Sequence, residues 1–441
     1  MRGANNWLVI SYGHWNWLWN LLKILRDMRI KLFYILGLAC LSMLTSGAYA
    51  QGDIAVPSCI KKDSNRIKDP AGLLHGFYDK LYALKDSGHV VRVLHIGDSH
   101  LQAGFFSGEV MAELQKTFGN AGRGLIVPLK LAKTNEPRDY SITSDIDWDF
   151  SRCVGKYNKY PLGVGGISLV PESREIDLNI ETLSQTACNS FNRIELFHAP
   201  MSPRLHISDG MQALRVDSLY PFMTCYELAE PVCSLRLRGL VTGAIDSCLF
   251  YGASLENGEK GVLYHVVGNN GAMYENYASI PDFTPQAAAL HPDIVIISLG
   301  TNEAFGSRAD AMVIRRNIDM LVSSLQKDMP EIPVLLTTPA ECQKRIRGRR
   351  RKGGRRTYFA VNRQISDVRD IILNYAGDKG LPVWDWYMVS GGTGSSSKWV
   401  RSGLMARDRI HCTAEGYRIQ GNLLYQSLMD DYHGYIQHRS E

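Results

Sequence analysis

Apolar residues run almost unbroken through 90–96 and again through 293–299. That is the pattern of strands covered on both faces, as in a parallel sheet, rather than the one-in-two alternation of a sheet with a wet side. The period changes to that of amphipathic helices over 105–118, about 309–327 and about 358–375. It does so again in a C-terminal helix that begins near Thr413 and carries Tyr417, Ile419, Leu423 and Leu424. Shorter apolar runs at 261–267, 334–338 and 383–387 read as further strands. Strand and helix alternate, so the sequence predicts an α/β fold whose parallel sheet of five strands has helices on its faces. One stretch breaks this rhythm. Between about 121 and 255 the runs are short and alternating (175–181, 193–197, 204–208, 234–240), which predicts a β-rich, sandwich-like insert.

The 441 residues are 45% hydrophobic and 21% charged, enough for a sizeable core and more than one domain. The first fifty are expected to lie outside the fold. Met28-Arg29-Ile30-Lys31, the apolar run that follows it and Ala48-Tyr49-Ala50 have the basic, apolar and cleavage regions of a secretory signal peptide. Translation is then expected to begin at Met28 and cleavage to follow Ala50. The Trp-rich segment upstream is read either as an extension or as a membrane anchor with Trp7, Trp15, Trp17 and Trp19 at the interface. The expected divisions are 1–50 (extension and leader), 51–120 (first part of the α/β domain), 121–255 (insert) and 256–441 (second part).

Three short motifs carry chemistry: Gly97-Asp98-Ser99-His100, Gly300-Thr301-Asn302-Glu303 and Asp408-Arg409-Ile410-His411. Ser99 follows a strand and precedes a helix, the place where open parallel sheets bind ligands and where backbone N–H groups face developing negative charge. The second motif leaves a strand at the same edge, and Asn302 has an amide N–H₂ to offer an oxyanion. Asp408 and His411 are close enough for one loop to deliver a carboxylate and an imidazole together. A serine nucleophile, a base, an orienting acid and oxyanion donors make a serine hydrolase, so the expected catalytic residues are Ser99, Asp408 and His411. The order Ser, Asp, His is that of the α/β-hydrolases, but no G-x-S-x-G elbow occurs. Asp98 is read as an orienting acceptor or a turn carboxylate, Glu303 as a loop-shaping residue, and His95 and His100 as packing or supporting residues.

With these blocks in order, the chain resembles the SGNH or GDSL hydrolase superfamily, whose signature is Ser, Gly, Asn and His in separate blocks. The resemblance covers about 88–122 and 261 to the C-terminus. It implies a flavodoxin-like sheet and an oxyanion hole made of the Ser99 N–H, the Gly271 N–H and the Asn302 side chain, with Gly268 as the alternative glycine. His100 stands where leucine is usual. That variant, with a long insertion before the glycine block, resembles exported bacterial peptidoglycan O-acetylesterases, and similar esterases carry a carbohydrate-binding-like module in the insert. Tyr157, Tyr160, Tyr220 and Tyr226 are the candidate sugar platforms, against core or edge packing.

Charge adds one feature. The run 344–356, from Lys344 to Arg356, holds nine positive charges, and removing residues 1–50 lowers the net charge from +5 to +1. This run fits an anionic glycan or else a solvated loop. Nucleic acid is not an expected partner, nor is an integral membrane domain in the mature chain. Eight cysteines remain after the leader, an even number that export allows to pair. No cofactor is expected, and no C-x-x-C spacing marks a metal site. The expected function is removal of O-acetyl groups from a bacterial cell-wall polysaccharide, foremost peptidoglycan, in the periplasm or cell envelope. The alternatives are an esterase on another acylated glycan or lipid, and an inactive glycan-binding protein. A metallophosphoesterase would need ligand blocks that are missing.

Overall fold

The computed structural model describes residues 57–183, 189–208, 213–306, 310–348 and 357–440. The expected leader lies outside these, as do 349–356 of the basic run and Cys188.

Val90–Gly97 lies one strand in from the edge of a six-stranded sheet. Gly261–Gly268 pairs with it in parallel along its whole length, so that Gly268 lies opposite Gly97. Ile294–Ser298 pairs in parallel on the other side, with Ser298 opposite Gly97. Val334–Thr337 and Val383–Trp384 continue the parallel run. Ile67–Lys68 closes the edge in the antiparallel sense. Gly97, Gly268 and Ser298 thus form one row at the carboxyl ends of three neighbouring strands, and the segments bearing Ser99, Gly271 and Asn302 leave from that row. Five strands were expected; the sixth has two residues, too few to show a period.

Near-continuous burial of the central strands accounts for their apolar runs. His95 is the polar exception. Its Nδ1 hydrogen-bonds Tyr264 Oη at 2.8 Å and its Nε2 meets Ser298 Oγ at 2.7 Å, a polar chain across three strands. Burial pushes this imidazole down to about 3, so it stays neutral.

Phe105–Phe118 buries Phe106, Val110, Met111 and Leu114 and packs against Ala414–Ser440. Ala311–Asp328 buries Ile314, Ile318, Leu321, Val322 and Leu325 and packs against Gln364–Lys379. Its start is fixed by Asp310, whose carboxylate accepts from the backbone N–H groups of Met312 and Val313. Two expectations change here. The helix expected from 358 begins at Gln364, because Thr357–Val361 pairs as a hairpin with Gln343–Arg347; Tyr358, Phe359 and Val361 suit a strand. The strand expected over 383–387 ends at Trp384, where Asp385 accepts from Met388 N–H and starts a helical turn.

Between Gly124 and Glu256 the chain forms two antiparallel sheets. In the larger one, Phe250–Glu256 lies between Phe191–His198 and short partners that include Gly124–Ile126. The smaller joins Tyr140–Thr143, Glu175–Thr182, Ser234–Leu240 and His206–Ile207. Their apolar side chains belong to the same continuous core as the central sheet. Cys153, Cys225 and Cys248 are buried and free, whereas Cys233 is disulfide-bonded. No helix among the described residues is long and apolar enough to cross a membrane.

Candidate active site

Ser99 opens a four-residue helical turn, Ser99–Gln102, directly beyond the strand Val90–Gly97. Close packing demands the glycine before it: a Cβ on Gly97 would lie 2.9 Å from the Ser298 carbonyl oxygen and 2.8 Å from Leu101 Cδ1. Asp98 caps the turn, its Oδ1 accepting from His100 N–H at 2.9 Å.

Ser99 Oγ sits 2.7 Å from His411 Nε2. On the far side of the ring, His411 Nδ1–H donates to Asp408 Oδ2 at 2.7 Å. The other carboxylate oxygen accepts from the backbone N–H groups of Ile410 at 2.9 Å and His411 at 3.1 Å. Burial acts to raise the Asp408 carboxyl, but these hydrogen bonds outweigh it and hold it below the usual range. It is therefore ionised when the imidazole needs it. The structure brings Ser99, His411 and Asp408 into one hydrogen-bonded line.

The line opens on a cleft of about 670 Å³ lined by Ser99, Gly271, Asn302 and His411, with Asn135, Asn270, Phe105 and Phe305 on its walls. Gly271 has φ +85°, and a Cβ there would meet only Val154 Cγ1, at 4.0 Å. Gly268 sits instead inside its strand, where a Cβ would lie 2.7 Å from the Gln102 nitrogen. Each glycine is thus needed for a different reason, backbone conformation at 271 and close approach at 268. The backbone N–H groups of Ser99 and Gly271 have no acceptor among the described residues. Asn302 differs: its amide donates to Asp98 Oδ2 at 3.1 Å and to the Ala272 carbonyl at 2.9 Å.

Two carboxyls are buried behind this amide. Burial raises Asp98 to about 7 against the hydrogen bond from His100. Burial raises Glu303 to about 7 as well, with the Asp98 charge adding to it. Glu303 Oε1 accepts from Tyr274 N–H at 2.9 Å, which ties the Asn302 turn to the segment after Gly271.

His100 leans on the catalytic-candidate histidine, with ring centroids 5.1 Å apart, and its Nδ1 hydrogen-bonds Tyr417 Oη at 2.9 Å. Burial, and then the nearness of His411, push His100 down to about 3, so a neutral ring backs the base. Burial and the Asp408 charge push the Cys412 thiol up to about 12, so it remains a protonated packing group.

Sequence reasoning missed the cleft's amide wall. Gln102 Nε2 donates to the Asn135 carbonyl at 2.6 Å, and Asn270 Nδ2 donates to Asn135 Oδ1 at 2.7 Å. Asn135 belongs to the predicted insert and carries no motif, whereas Asn270, next to Gly271, was within reach of one. Among the proposed sugar platforms, Tyr226 and Tyr160 are buried and Tyr220 is stacked on Phe222. Tyr157 alone of the four is exposed, at 82%.

Residues 249–419 match a family model described as GDSL-like Lipase/Acylhydrolase, a span that includes Gly271, Asn302, Asp408 and His411 and begins after Ser99. A solved peptidoglycan O-acetylesterase structure overlays on 83% of this chain and 99% of its own, with TM-score 0.69 and 22% identity, a likeness of fold. An acetyl xylan esterase structure overlaps 37% of this chain and 81% of its own at 20% identity and TM-score 0.29, too low to carry an argument. No curated protein matches the chain.

Proposed function

We propose that the chain, of which residues 249–419 match the GDSL-like Lipase/Acylhydrolase family, is an SGNH-type carboxylic ester hydrolase that removes O-acetyl groups from a bacterial cell-wall polysaccharide, foremost peptidoglycan. The observation that carries the reading is the unbroken line from Ser99 Oγ through His411 to Asp408 at the mouth of an open cleft.

In this mechanism His411 Nε2 takes the Ser99 proton as Oγ attacks the acetyl carbonyl, and Asp408 stabilises the imidazolium. The oxyanion is met by the backbone N–H groups of Ser99 and Gly271. Asn302 joins them by exchanging its bond to the Ala272 carbonyl for the new negative charge. Collapse expels the sugar hydroxyl, which takes the proton from His411 and leaves an acetyl-enzyme. Water, deprotonated by the same imidazole, then releases acetate and returns the proton to Ser99.

The order of the parallel strands supports a flavodoxin-like hydrolase domain made of 51–120 and 256–441. Asn135 on the cleft wall supports a part for the insert, 121–255, in choosing the glycan. Arg345 and Arg347, exposed on the described arm of the basic run, support contact with an anionic glycan along 344–356. The exported chain would work in the periplasm or cell envelope.

The test is acetate release from O-acetylated peptidoglycan by the protein and its Ser99→Ala variant, with an aryl acetate as control. Ser99-dependent release from both is expected. Cleavage of the aryl ester alone would keep the mechanism and reject the polymer, and inactivity on both would favour a binding protein.

A further inference from the structure

We propose that the hairpin formed by Gln343–Arg347 and Thr357–Val361 is the positioning element of the hydrolytic site, joining the Asp408–His411 loop to the Asn302 turn through Arg409 and Asn362; this rests on the serine-hydrolase reading above.

Arg409 stands between the acid and the base, with φ +60°. A side chain there costs roughly 1 kcal/mol, so the surroundings must hold it. They do so three times. Gln343 N–H donates to the Arg409 carbonyl at 2.9 Å. Arg409 Nη1 donates back to Gln343 Oε1, also at 2.9 Å. The guanidinium lies 4.2 Å from the centroid of Phe359, on the opposite arm of the hairpin. Both arms therefore grip one residue.

Gln343 is itself anchored, being buried with its amide donating to Ser397 Oγ at 3.0 Å. At the end of the other arm, Asn362 N–H donates to the Cys342 carbonyl at 2.9 Å and closes the hairpin base. Its side-chain Nδ2 donates to the Ala304 carbonyl at 2.8 Å, inside the Asn302–Phe305 turn. The base of the hairpin thus holds both the residue between acid and base and the turn that carries the oxyanion amide.

The arrangement answers a need of the loop. Side-chain exposures of 34% for His411 and 46% for Asp408 leave burial too slight to fix the pair. A rotation at Arg409 would swing Asp408 away from His411 Nδ1, and misplacement of about 1 Å at a reacting group is costly in rate.

The experiment compares full-length wild type with Arg409→Ala, Arg409→Gly, Arg409→Lys and Phe359→Leu. It uses steady-state hydrolysis of 4-nitrophenyl acetate and the downfield proton resonance of His411 Nδ1–H, which needs no substrate. Near-UV circular dichroism checks folding, and Phe359→Leu serves if the Ala variant fails to fold. Expected for Arg409→Ala and Arg409→Gly is a drop in kcat of about 10-fold with KM within about twofold, together with a broadened or shifted resonance. Arg409→Lys, which keeps the cation over Phe359, recovers part of both. Glycine accepts φ +60° without strain, so wild-type kcat in Arg409→Gly would overturn the proposal. An unchanged resonance in a folded Arg409→Ala protein would overturn it too. If wild type does not hydrolyse 4-nitrophenyl acetate, the functional reading fails while the resonance still decides the positioning role.

Discussion

Ser99 and His411 meet at 2.7 Å but are held there by opposite means. Ser99, the proposed nucleophile, comes off its strand through a tightly packed glycine, on a turn capped by its own neighbour. His411, the proposed base, sits on a half-exposed loop between a two-residue bridge, Met405 to Cys412, and a hairpin built from residues far away in sequence. The local construction fixes the nucleophile by covalent proximity, whereas the distant construction fixes the base by contacts that can be removed one at a time. Their carboxyls differ as well. Asp98 and Glu303, buried on the nucleophile and Asn302 side, are raised, while Asp408 on the loop is lowered.

The contrast can be tested in descending order of effect. Ser99→Ala removes the attacking atom and lowers kcat on an aryl acetate by about 10⁴-fold or more, measured under single-turnover conditions. Asp408→Ala leaves Ser99 and His411 in place and lowers kcat by roughly 10²- to 10⁴-fold, because the imidazole loses the carboxylate that orients it and stabilises its cationic form. Equal losses in the two variants at every pH would erase the distinction between attacking and orienting groups.

Gly97→Ala breaks the local side. A methyl group 2.9 Å from the Ser298 carbonyl and 2.8 Å from Leu101 Cδ1 crowds both the neighbouring strand and the helical turn, at a cost of about 1–3 kcal/mol in urea unfolding. A variant of wild-type stability would mean that the turn adapts and the glycine is dispensable.

The smallest effect separates the carboxyls. The folded pKa of Glu303 lies above its unfolded value, so its contribution is fully present below about 4.5 and is lost as pH rises through about 7. Glu303→Gln removes that loss. Relative to wild type it should gain stability at pH 8, on the order of 1–3 kcal/mol, and gain none at pH 4. Asp408 has the opposite sign: its stabilisation is present above the ordinary carboxylate pKa and disappears as the solution is made more acid. Unfolding midpoints across pH for Glu303→Gln and Asp408→Asn would show whether the two slopes oppose each other.

The same contrast explains what the sequence disclosed. The inner strands were legible because full burial writes a continuous apolar run, and the meeting of Ser99 with His411 and Asp408 because each sits in a short motif beside a strand or helix signal. The hairpin was not legible. Gln343–Arg347 is mostly polar, and Thr357–Val361 borders a helical pattern that absorbed it; only pairing across the intervening chain makes them strands. Asn135 reached the cleft by a tertiary path that leaves no local period. The Ile67–Lys68 strand is too short to signal itself, and of four candidate tyrosines the alternation of the insert could not tell which face core and which face water.

Strand order also has a consequence for how the protein is made. Val90–Gly97 is synthesised early, yet both of its sheet neighbours, Gly261–Gly268 and Ile294–Ser298, come after the whole insert. At ribosomal speeds this strand precedes its partners by on the order of ten seconds, with two open hydrogen-bonding edges and an apolar surface on each face. The segment bearing Ser99 therefore keeps two open strand edges until the insert and both later strands have arrived, whether the chain folds during synthesis or after export.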